Sequence, residues 1–208
     1  MEYTIIGEKD FKTTDWSGGK TEQFFIYPEK SELNKRDFIF RISSATFTST
    51  ESIFSDFTGY QRYILPLRGE LYLNHCLNDD TLMQDRKTNE SPLYERLLKK
   101  YEIEYFSGAW RTYSKNSPDL RDFNLIVKNN IQCNLRVLYN AEDTYIPKKN
   151  GLLCIFSLSP YDLTVNFNKD KRIEIEENRL MVIKENNTDY AFNIHANLEP
   201  VIVCEVNV

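Results

Sequence analysis

Histidine is scarce in this chain: only His75 and His195 occur among 208 residues, and neither belongs to an HxH or HExxH pattern. Most histidine-based metal centres use such spacings. The sequence therefore predicts no metal site and no cofactor, and a site built from both histidines and a distant glutamate is the less favoured alternative. The scarcity also weakens Ser/His and Cys/His nucleophilic schemes. Nucleotide-binding and hydrolase motifs of the GxGxxG, GxxxxGK[ST] and GxSxG types do not occur either.

Other features are missing too. The four cysteines, Cys76, Cys133, Cys154 and Cys204, form no CxxC pair, which predicts reduced, mostly buried thiols. No run of about 18 apolar residues occurs, and the first residues lack a basic segment followed by an apolar one. We therefore expect no membrane association and a cytoplasmic location. The net charge is −5 and the longest basic run is KDKR at 169–172, so nucleic acid is not an expected partner.

Aromatic residues are abundant, with 13 Tyr and 13 Phe, a bias that favours sheets over helices. Eleven or so short apolar runs, from "EQFFIYP" to "PVIVCEVNV", are separated by turn residues, which predicts an all-β sandwich or barrel. The KDKR run lies between two of them and is expected to be a solvated hairpin turn. One segment, "SPLYERLLKK", predicts a helix with Ser91 as its N-cap.

A weak internal repeat indicates how the chain is organised. The segments "YILPLRGELYL" and "CIFSLSPYDLTVNF" both have the pattern strand, tight turn, strand, and a Glu-rich strand follows each. Such repetition predicts two similar β-barrel halves. The expected organisation is one unit, 1–208, with approximate halves 1–130 and 131–208 that share strands.

Strand alternation identifies polar residues that require an explanation. In "DFIFRISSATF", Arg41 and Ser43 face away from Phe40. A mid-strand arginine needs a partner or an opening, because burying an unpaired guanidinium is costly. The alternatives are an exposed strand face or an internal salt bridge.

Two further strands add to this set. "GYQRYILPL" places Arg62 at a strand start, and "LRDFNLIVKN" places Asp122 and Asn124 on one face. Asparagine is unfavourable within a strand, so its side chain should hydrogen-bond either to neighbouring backbone or to a ligand. Two arginines, an asparagine and a serine suit a small carboxylate, which a guanidinium can bind through two parallel hydrogen bonds. Spacing alone does not bring these residues together.

Taken in order, several motifs resemble a known family. The segments "DWSGGKTEQFFIYP", "FIFRISSATFTSTESIFSDFTGYQRYILPLRGELYL", "FSGAW" and "RDFNLIVKN" are similar to the HutD/Ves family of the cupin superfamily. The match covers roughly residues 11 to 130, and beyond it only the strand rhythm agrees. The residues of the family motifs that look invariant correspond in this chain to Trp16, Gly18, Gly19, Thr21, Arg41, Ser43, Ala45, Phe54, Ser55, Arg62, Gly69, Phe106, Gly108, Asp122 and Asn124. The chain departs from the pattern at Ile53, where the family usually has Gly.

The resemblance implies a single-chain bicupin, two double-stranded β-helix barrels packed together, without the histidine-rich metal motif of enzymatic cupins. It also implies an association with histidine utilisation, with a proposed regulatory role and binding of formylglutamate or a related intermediate; the Ves branch is linked to stress responses. No catalytic activity is firmly attached to the family. Trp16 would cap the mouth of a barrel, and polar side chains inside would contact the ligand.

The leading hypothesis is a metal-free protein that binds a small carboxylate metabolite and regulates a catabolic pathway. Its expected ligand-binding residues are Trp16, Arg41, Ser43, Arg62, Asp122 and Asn124. One alternative is a cupin-type isomerase or hydrolase that uses Asp122, Glu70 or His75 as general acid or base. A carbohydrate-binding jelly roll, which would need exposed Tyr and Trp on one open face, is less favoured. Pairing through sheet edges makes a homodimer possible.

Overall fold

The computed structural model describes residues 2–76, 92–139, 143–145, 151–166, 171–185 and 191–208. Nearly all regular structure in these residues is β-strand, which confirms the all-β prediction. Two short 3-10 helices, Glu8–Asp10 and Leu33–Lys35, are the exceptions within the described parts. No helix among these residues has the length and apolar character needed to span a membrane.

The chain divides into two compact units. One is Lys12–Asn129, and the other combines Met1–Phe11 with Asn130–Val208. The N-terminal strand thus belongs with the C-terminal part of the chain, where it pairs with the strand Arg179–Glu185.

The Lys12–Asn129 unit contains two antiparallel sheets. The six-stranded sheet consists, in spatial order, of Lys12–Trp16 (β2), Gly19–Tyr27 (β3), Phe40–Phe47 (β4), Arg121–Lys128 (β11), Tyr60–Arg68 (β6) and Glu104–Ser107 (β9). The four-stranded sheet consists of Glu51–Ile53 (β5), Arg111–Asn116 (β10), Leu71–Cys76 (β7) and Pro92–Leu98 (β8). A buried cluster that includes Ile64, Leu73 and Phe106 joins side chains of both sheets, so the two sheets share one hydrophobic core.

The second unit repeats this arrangement. Its five-stranded sheet consists of Glu2–Ile6 (β1), Arg179–Glu185 (β17), Gly151–Ser157 (β14), Val201–Asn207 (β19) and Cys133–Leu138 (β12). Its four-stranded sheet consists of Asp143–Tyr145 (β13), Ala191–Ala196 (β18), Tyr161–Asn166 (β15) and Lys171–Ile175 (β16). Leu153, Leu163 and Met181 belong to one buried cluster between these sheets. Strands β15 and β16 pair antiparallel. Of the KDKR run predicted to be a turn, residues 169 and 170 lie outside the described residues, and Lys171 and Arg172 begin strand β16.

The predicted helix in "SPLYERLLKK" is wrong. Residues Pro92–Leu98 form strand β8, which pairs antiparallel with β7, and Ser91 lies outside the described residues. Leu98 is fully buried while the preceding Leu97 is exposed, as expected when neighbouring residues of a strand point to opposite faces. Arg96 also forms an ion pair of 2.7 Å with the buried Glu104 of β9. Pairing with β7 and the burial of Leu98 outweigh the local helix propensity.

All four cysteines are thiols and not members of disulfides. Cys76, Cys154 and Cys204 are buried, whereas Cys133 is partly exposed. Burial raises the pKa of the Cys204 thiol well above its ordinary value, and a thiol in that state is a poor nucleophile.

Candidate ligand-binding cavity

A cavity of about 350 Å³ lies in the Lys12–Asn129 unit, a volume typical of small-molecule sites. One face of the six-stranded sheet forms its floor, and segments near Leu33 and Ser52–Phe57 contribute to its walls. The structure places all six sequence-predicted binding residues on this cavity: Trp16, Arg41, Ser43, Arg62, Asp122 and Asn124.

The register of the central strands explains how residues far apart in sequence meet. Ile126 of β11 lies opposite Arg41 of β4 on one side and opposite Arg62 of β6 on the other. Asn124, two residues earlier on β11, lies opposite Ser43. Directly opposed residues, and residues two apart in a strand, point to the same face of a sheet. The polar residues therefore share one face, and intervening residues such as Phe123 are buried on the other.

Arg41 is held by two side-chain hydrogen bonds and is only 7% exposed. Its Nε donates to Oε1 of Gln23 at 2.8 Å, and its Nη1 donates to Oγ of Ser43 at 2.8 Å. Burial lowers the pKa of this guanidinium to about 10, although the charge of Asp122 opposes the shift. Arg41 therefore stays positively charged at neutral pH, and two neutral oxygens fix its orientation.

Arg62 is also 7% exposed but has fewer partners. Its Nη2 donates to Oδ1 of Asn124 at 3.1 Å, and its buried Nε has no hydrogen-bond partner among the described residues. The guanidinium carbon lies 4.6 Å from the ring centre of Phe54 and 5.2 Å from that of Phe106. These rings stabilise the positive charge through cation–π contact and occupy none of its N–H donors. Burial lowers the pKa of Arg62 to about 10, so this group also remains charged.

Asp122 supplies the only carboxyl among the described residues of the cavity wall, and it is 1% exposed. Its Oδ1 accepts a hydrogen bond from the Ala45 amide at 2.7 Å. Burial raises the pKa of Asp122 to about 7, and the Ala45 amide, Asn124 and the nearby arginines oppose this rise. Neither Arg41 nor Arg62 forms an ion pair with any described carboxylate. The cavity thus combines two arginine charges with a carboxyl that is only partly ionised near pH 7.

Trp16 lies at the mouth of the cavity and is 37% exposed. Its Nε1 donates to Oγ1 of Thr21 at 3.1 Å, and its ring packs edge-on against Phe47 with the ring centres 5.6 Å apart. A Cβ added at Gly18 would overlap the six-membered ring of Trp16. A Cβ added at the adjacent Gly19 would likewise overlap the carbonyl oxygen of Thr46. The two glycines therefore permit close approach of the indole and of strand β4 to the turn.

We expect Gly18→Ala to move the indole away from the mouth of the cavity, because the new methyl group needs space that the ring occupies. The free energy of unfolding should fall by less than about 1 kcal/mol, because the group that must move is the ring of Trp16, which is itself 37% exposed. The emission maximum of Trp16 should shift to longer wavelength. The same substitution in a Trp16→Phe background should leave the remaining Trp110 emission unchanged. Identical emission from the Gly18→Ala protein and the wild type would contradict this account of the glycine.

Two residues of the alternative enzyme hypothesis lie away from the cavity. Glu70 is exposed in the turn after β6. His75 is fully buried, and its Nδ1 is 2.9 Å from Oγ1 of Thr112. Burial lowers the pKa of His75 to about 4. Neither side chain can act as acid or base on a ligand in the cavity. Within the described ranges, no three His, Cys, Asp or Glu side chains are grouped to hold a metal ion.

Exposed aromatic residues are dispersed over the described part of the chain. Trp16 lies at one edge of the six-stranded sheet and Tyr105, also exposed, lies on the strand at the opposite edge. Tyr139 is exposed in the other unit. This distribution does not provide the open aromatic face that a carbohydrate-binding jelly roll requires.

Sequence reasoning did not identify several residues of the site. Gln23 accepts a hydrogen bond that positions Arg41. Phe57 lines the cavity, with its ring centre 5.5 Å from the guanidinium carbon of Arg62. Leu33 and Ile53 line the cavity wall. Ile53 stands where the family usually has Gly, a difference that by itself does not indicate that the side chain lines the cavity. No sequence pattern identifies Leu33 as a cavity residue, because it lies in a short 3-10 helix between strands and belongs to no strand alternation.

Comparison with solved structures supports this architecture. A conserved protein of unknown function, PA5104 from Pseudomonas aeruginosa PAO1, is 20% identical with a TM-score of 0.76, and the match covers 100% of this chain and 98% of that one. HutD from Pseudomonas fluorescens SBW25, determined in a formate condition, is 17% identical with a TM-score of 0.71, covering 99% and 98%. A search of curated proteins found no match.

More distant similarities extend to larger proteins. Oxalate decarboxylase from Bacillus subtilis is 6% identical with a TM-score of 0.63, and the match covers 98% of this chain and 76% of that one. Vicilin from Solanum melongena is 8% identical with a TM-score of 0.60, covering 98% and 84%. These similarities confirm the bicupin fold. The HutD family model matches residues 8–200, far beyond the segment that carried the initial resemblance, and this chain therefore belongs to the HutD family.

Proposed function

We propose that this protein is a cytoplasmic, metal-free binding protein for a small carboxylate metabolite such as formylglutamate, and that ligand binding regulates histidine utilisation or a stress response. The observation that carries the proposal is the pair of buried guanidinium groups, Arg41 and Arg62, on one cavity. Neither has a described carboxylate as an ion-pair partner.

A bound carboxylate would remove an energetic cost of the empty cavity. A buried charge without a counterion is destabilising, and the cost is recovered when an anion with matching acceptor geometry binds. The Nε of Arg62 is the clearest case, because it is buried without a partner in the described part of the chain. A carboxylate oxygen accepts well from such a donor, and charge-assisted hydrogen bonds are about twice as strong as neutral ones.

Two of the structural relatives provide independent support for an anionic ligand. The Pseudomonas fluorescens HutD structure was determined in a formate condition. The Solanum melongena vicilin is described as having different anionic ligands in structurally similar pockets. Both statements concern those proteins, and they support testing anions first.

Thermal denaturation should reveal the ligand class. We expect at least one of formylglutamate, urocanate, glutamate and formate to raise the melting temperature at millimolar concentration. A ligand at 100 times its Kd stabilises by about 2.7 kcal/mol, which corresponds to roughly 5–10 °C for a protein of this size. The amide of each acid serves as the control and should have no effect. The proposal fails if none of the acids stabilises the protein.

Asp122 gives the enzyme alternative its only specific support. Its pKa is raised to about 7 inside the cavity, and a general acid or base works best when its pKa is near the operating pH. A cupin-type isomerase or hydrolase would convert a pathway intermediate, and Asp122→Asn would abolish turnover but keep ligand binding. If the ligands stay chemically unchanged after prolonged incubation with the wild-type protein, the enzyme alternative is excluded and the binding function remains.

A further inference from the structure

The outer part of the cavity differs chemically from its floor. Trp16, Leu33 and Ile53 line the cavity and are 37%, 38% and 60% exposed. Trp16 ends strand β2, Leu33 begins a 3-10 helix and Ile53 ends strand β5. Three separate elements thus each place a large apolar side chain at the opening, which we call the apolar rim.

Single exposed hydrophobic residues are common on protein surfaces and need no explanation. Nine large hydrophobic residues are exposed in the described part of the chain, and three of them belong to this one rim. The rings of Phe47, Phe54 and Phe57 continue the apolar wall inward. Grouped exposed apolar side chains next to a cavity are typical of ligand-binding sites.

Charge is confined to the floor. Among the described residues that line the cavity, only Arg41, Arg62 and Asp122 carry ionisable groups. A second carboxylate on the ligand, directed outward, would meet the apolar rim and lose hydration. Arg36, a further cation near the cavity, does not line it, since its guanidinium stacks on the ring of Phe57 and donates to the Asp56 carbonyl. An uncharged apolar group in the same place would cover exposed indole and aliphatic surface.

Building on the proposed function, we propose that the ligand is a monocarboxylate with an apolar arm: its carboxylate binds at Arg41 and Arg62, and its aromatic or branched aliphatic body contacts Trp16, Leu33 and Ile53. This narrows the class of small carboxylates and disfavours formylglutamate, which has two carboxylates. The cavity volume of about 350 Å³ equals that of roughly a dozen liquid water molecules. It therefore accommodates a ligand with about as many non-hydrogen atoms. Ile53 and Leu33 are then specificity-determining residues, because their side chains meet only the arm.

Isothermal titration with four probes separates the contributions of carboxylate and arm. Hydrocinnamate has one carboxylate and an aromatic arm, hydrocinnamamide has the arm without the charge, glutarate has a second carboxylate in place of the arm, and acetate has no arm. We expect hydrocinnamate to bind at least tenfold more tightly than the other three.

Variants then locate the arm. Ile53→Ser and Leu33→Ser should each weaken hydrocinnamate binding by about tenfold, since burying one aliphatic side chain contributes on that order. They should leave acetate binding unchanged. Leu97→Ser is the matched control, because Leu97 is a similarly exposed leucine of the same unit that does not line the cavity. All three serine variants alter exposed positions and should fold.

The possible results discriminate between the two proposals. If glutarate or acetate binds as tightly as hydrocinnamate and the rim variants change nothing, the apolar-arm inference is overturned while carboxylate binding stands. If hydrocinnamamide binds as tightly as hydrocinnamate, the guanidinium groups do not select the ligand and the proposed function falls as well. Failure of all three acids to bind overturns both.

Discussion

Arg62→Met should weaken carboxylate binding by at least roughly thirtyfold and leave the unliganded protein at least as stable as the wild type. Methionine approximates the volume of the arginine stem and removes a buried charge that forms no ion pair with a described carboxylate. Replacing buried charged groups with apolar ones of similar size is often neutral or stabilising by about 1–4 kcal/mol. The lost contacts with Asn124 and with the rings of Phe54 and Phe106 reduce this gain. We expect a net change between zero and about 2 kcal/mol of stabilisation.

The affinity for carboxylates, in contrast, should fall in the Arg62→Met protein. Loss of a buried charge-assisted hydrogen bond to a ligand costs about 2–5 kcal/mol, which weakens affinity by at least roughly thirtyfold and up to several thousandfold. Arg68→Met is the matched control: Arg68 is an exposed arginine on the same strand, its Nε donates to the Asp119 carbonyl, and it does not line the cavity. Calorimetry and urea unfolding measure both quantities. A strongly destabilised Arg62→Met protein that still binds carboxylates would assign Arg62 a structural role.

The pKa of Asp122 predicts an unusual dependence of stability on pH. Burial raises the pKa of this carboxyl in the folded protein to about 7, against 3.8 when it is solvated. Between these values the unfolded chain has released a proton that the folded protein retains, so the Asp122 contribution to stability falls as pH rises from about 4 to about 7. A difference of about three pKa units corresponds to roughly 4 kcal/mol.

Asp122→Asn isolates this contribution. The side-chain oxygen of asparagine can still accept the Ala45 amide, as Oδ1 of Asp122 does, but it does not ionise. At pH 4 the variant and the wild type should have similar free energies of unfolding. At pH 8 the variant should be more stable by up to roughly 4 kcal/mol. The control, Asp119→Asn, changes an exposed carboxylate of the same unit and should show no such divergence. A variant that is less stable than the wild type at pH 8 would mean that the ionised carboxylate is stabilising.

Strand alternation was sufficient to predict which polar residues share a face within each strand. It placed Arg41 beside Ser43 and Asp122 beside Asn124, and all four line the cavity. It did not predict that β11 lies between β4 and β6, which brings the two pairs and Arg62 together. That order depends on pairings between strands about 60–80 residues apart in sequence, and local patterns carry no information on them.

The failures of sequence reasoning have a similar origin. The segment around Tyr94 has helix-favouring residues, yet pairing with β7 makes it a strand. His75 was considered as an acid or base because of its residue type, but aromatic rings of Tyr94 and Phe106 enclose it. Leu33 and Ile53 reach the cavity through short elements whose positions depend on tertiary packing. Burial and long-range contacts therefore determine the secondary structure and the roles of these residues, which residue type alone does not predict.

Calorimetric measurement of the coupling between the ligand carboxylate and Arg62 tests the central claim most directly. Hydrocinnamate and hydrocinnamamide, each titrated into the wild type and Arg62→Met, form a double-mutant cycle. If the carboxylate binds at Arg62, the coupling free energy should be at least about 2 kcal/mol, as expected for a buried charge-assisted contact. A coupling indistinguishable from zero, with hydrocinnamate still bound by the wild type, would show that the carboxylate lies elsewhere.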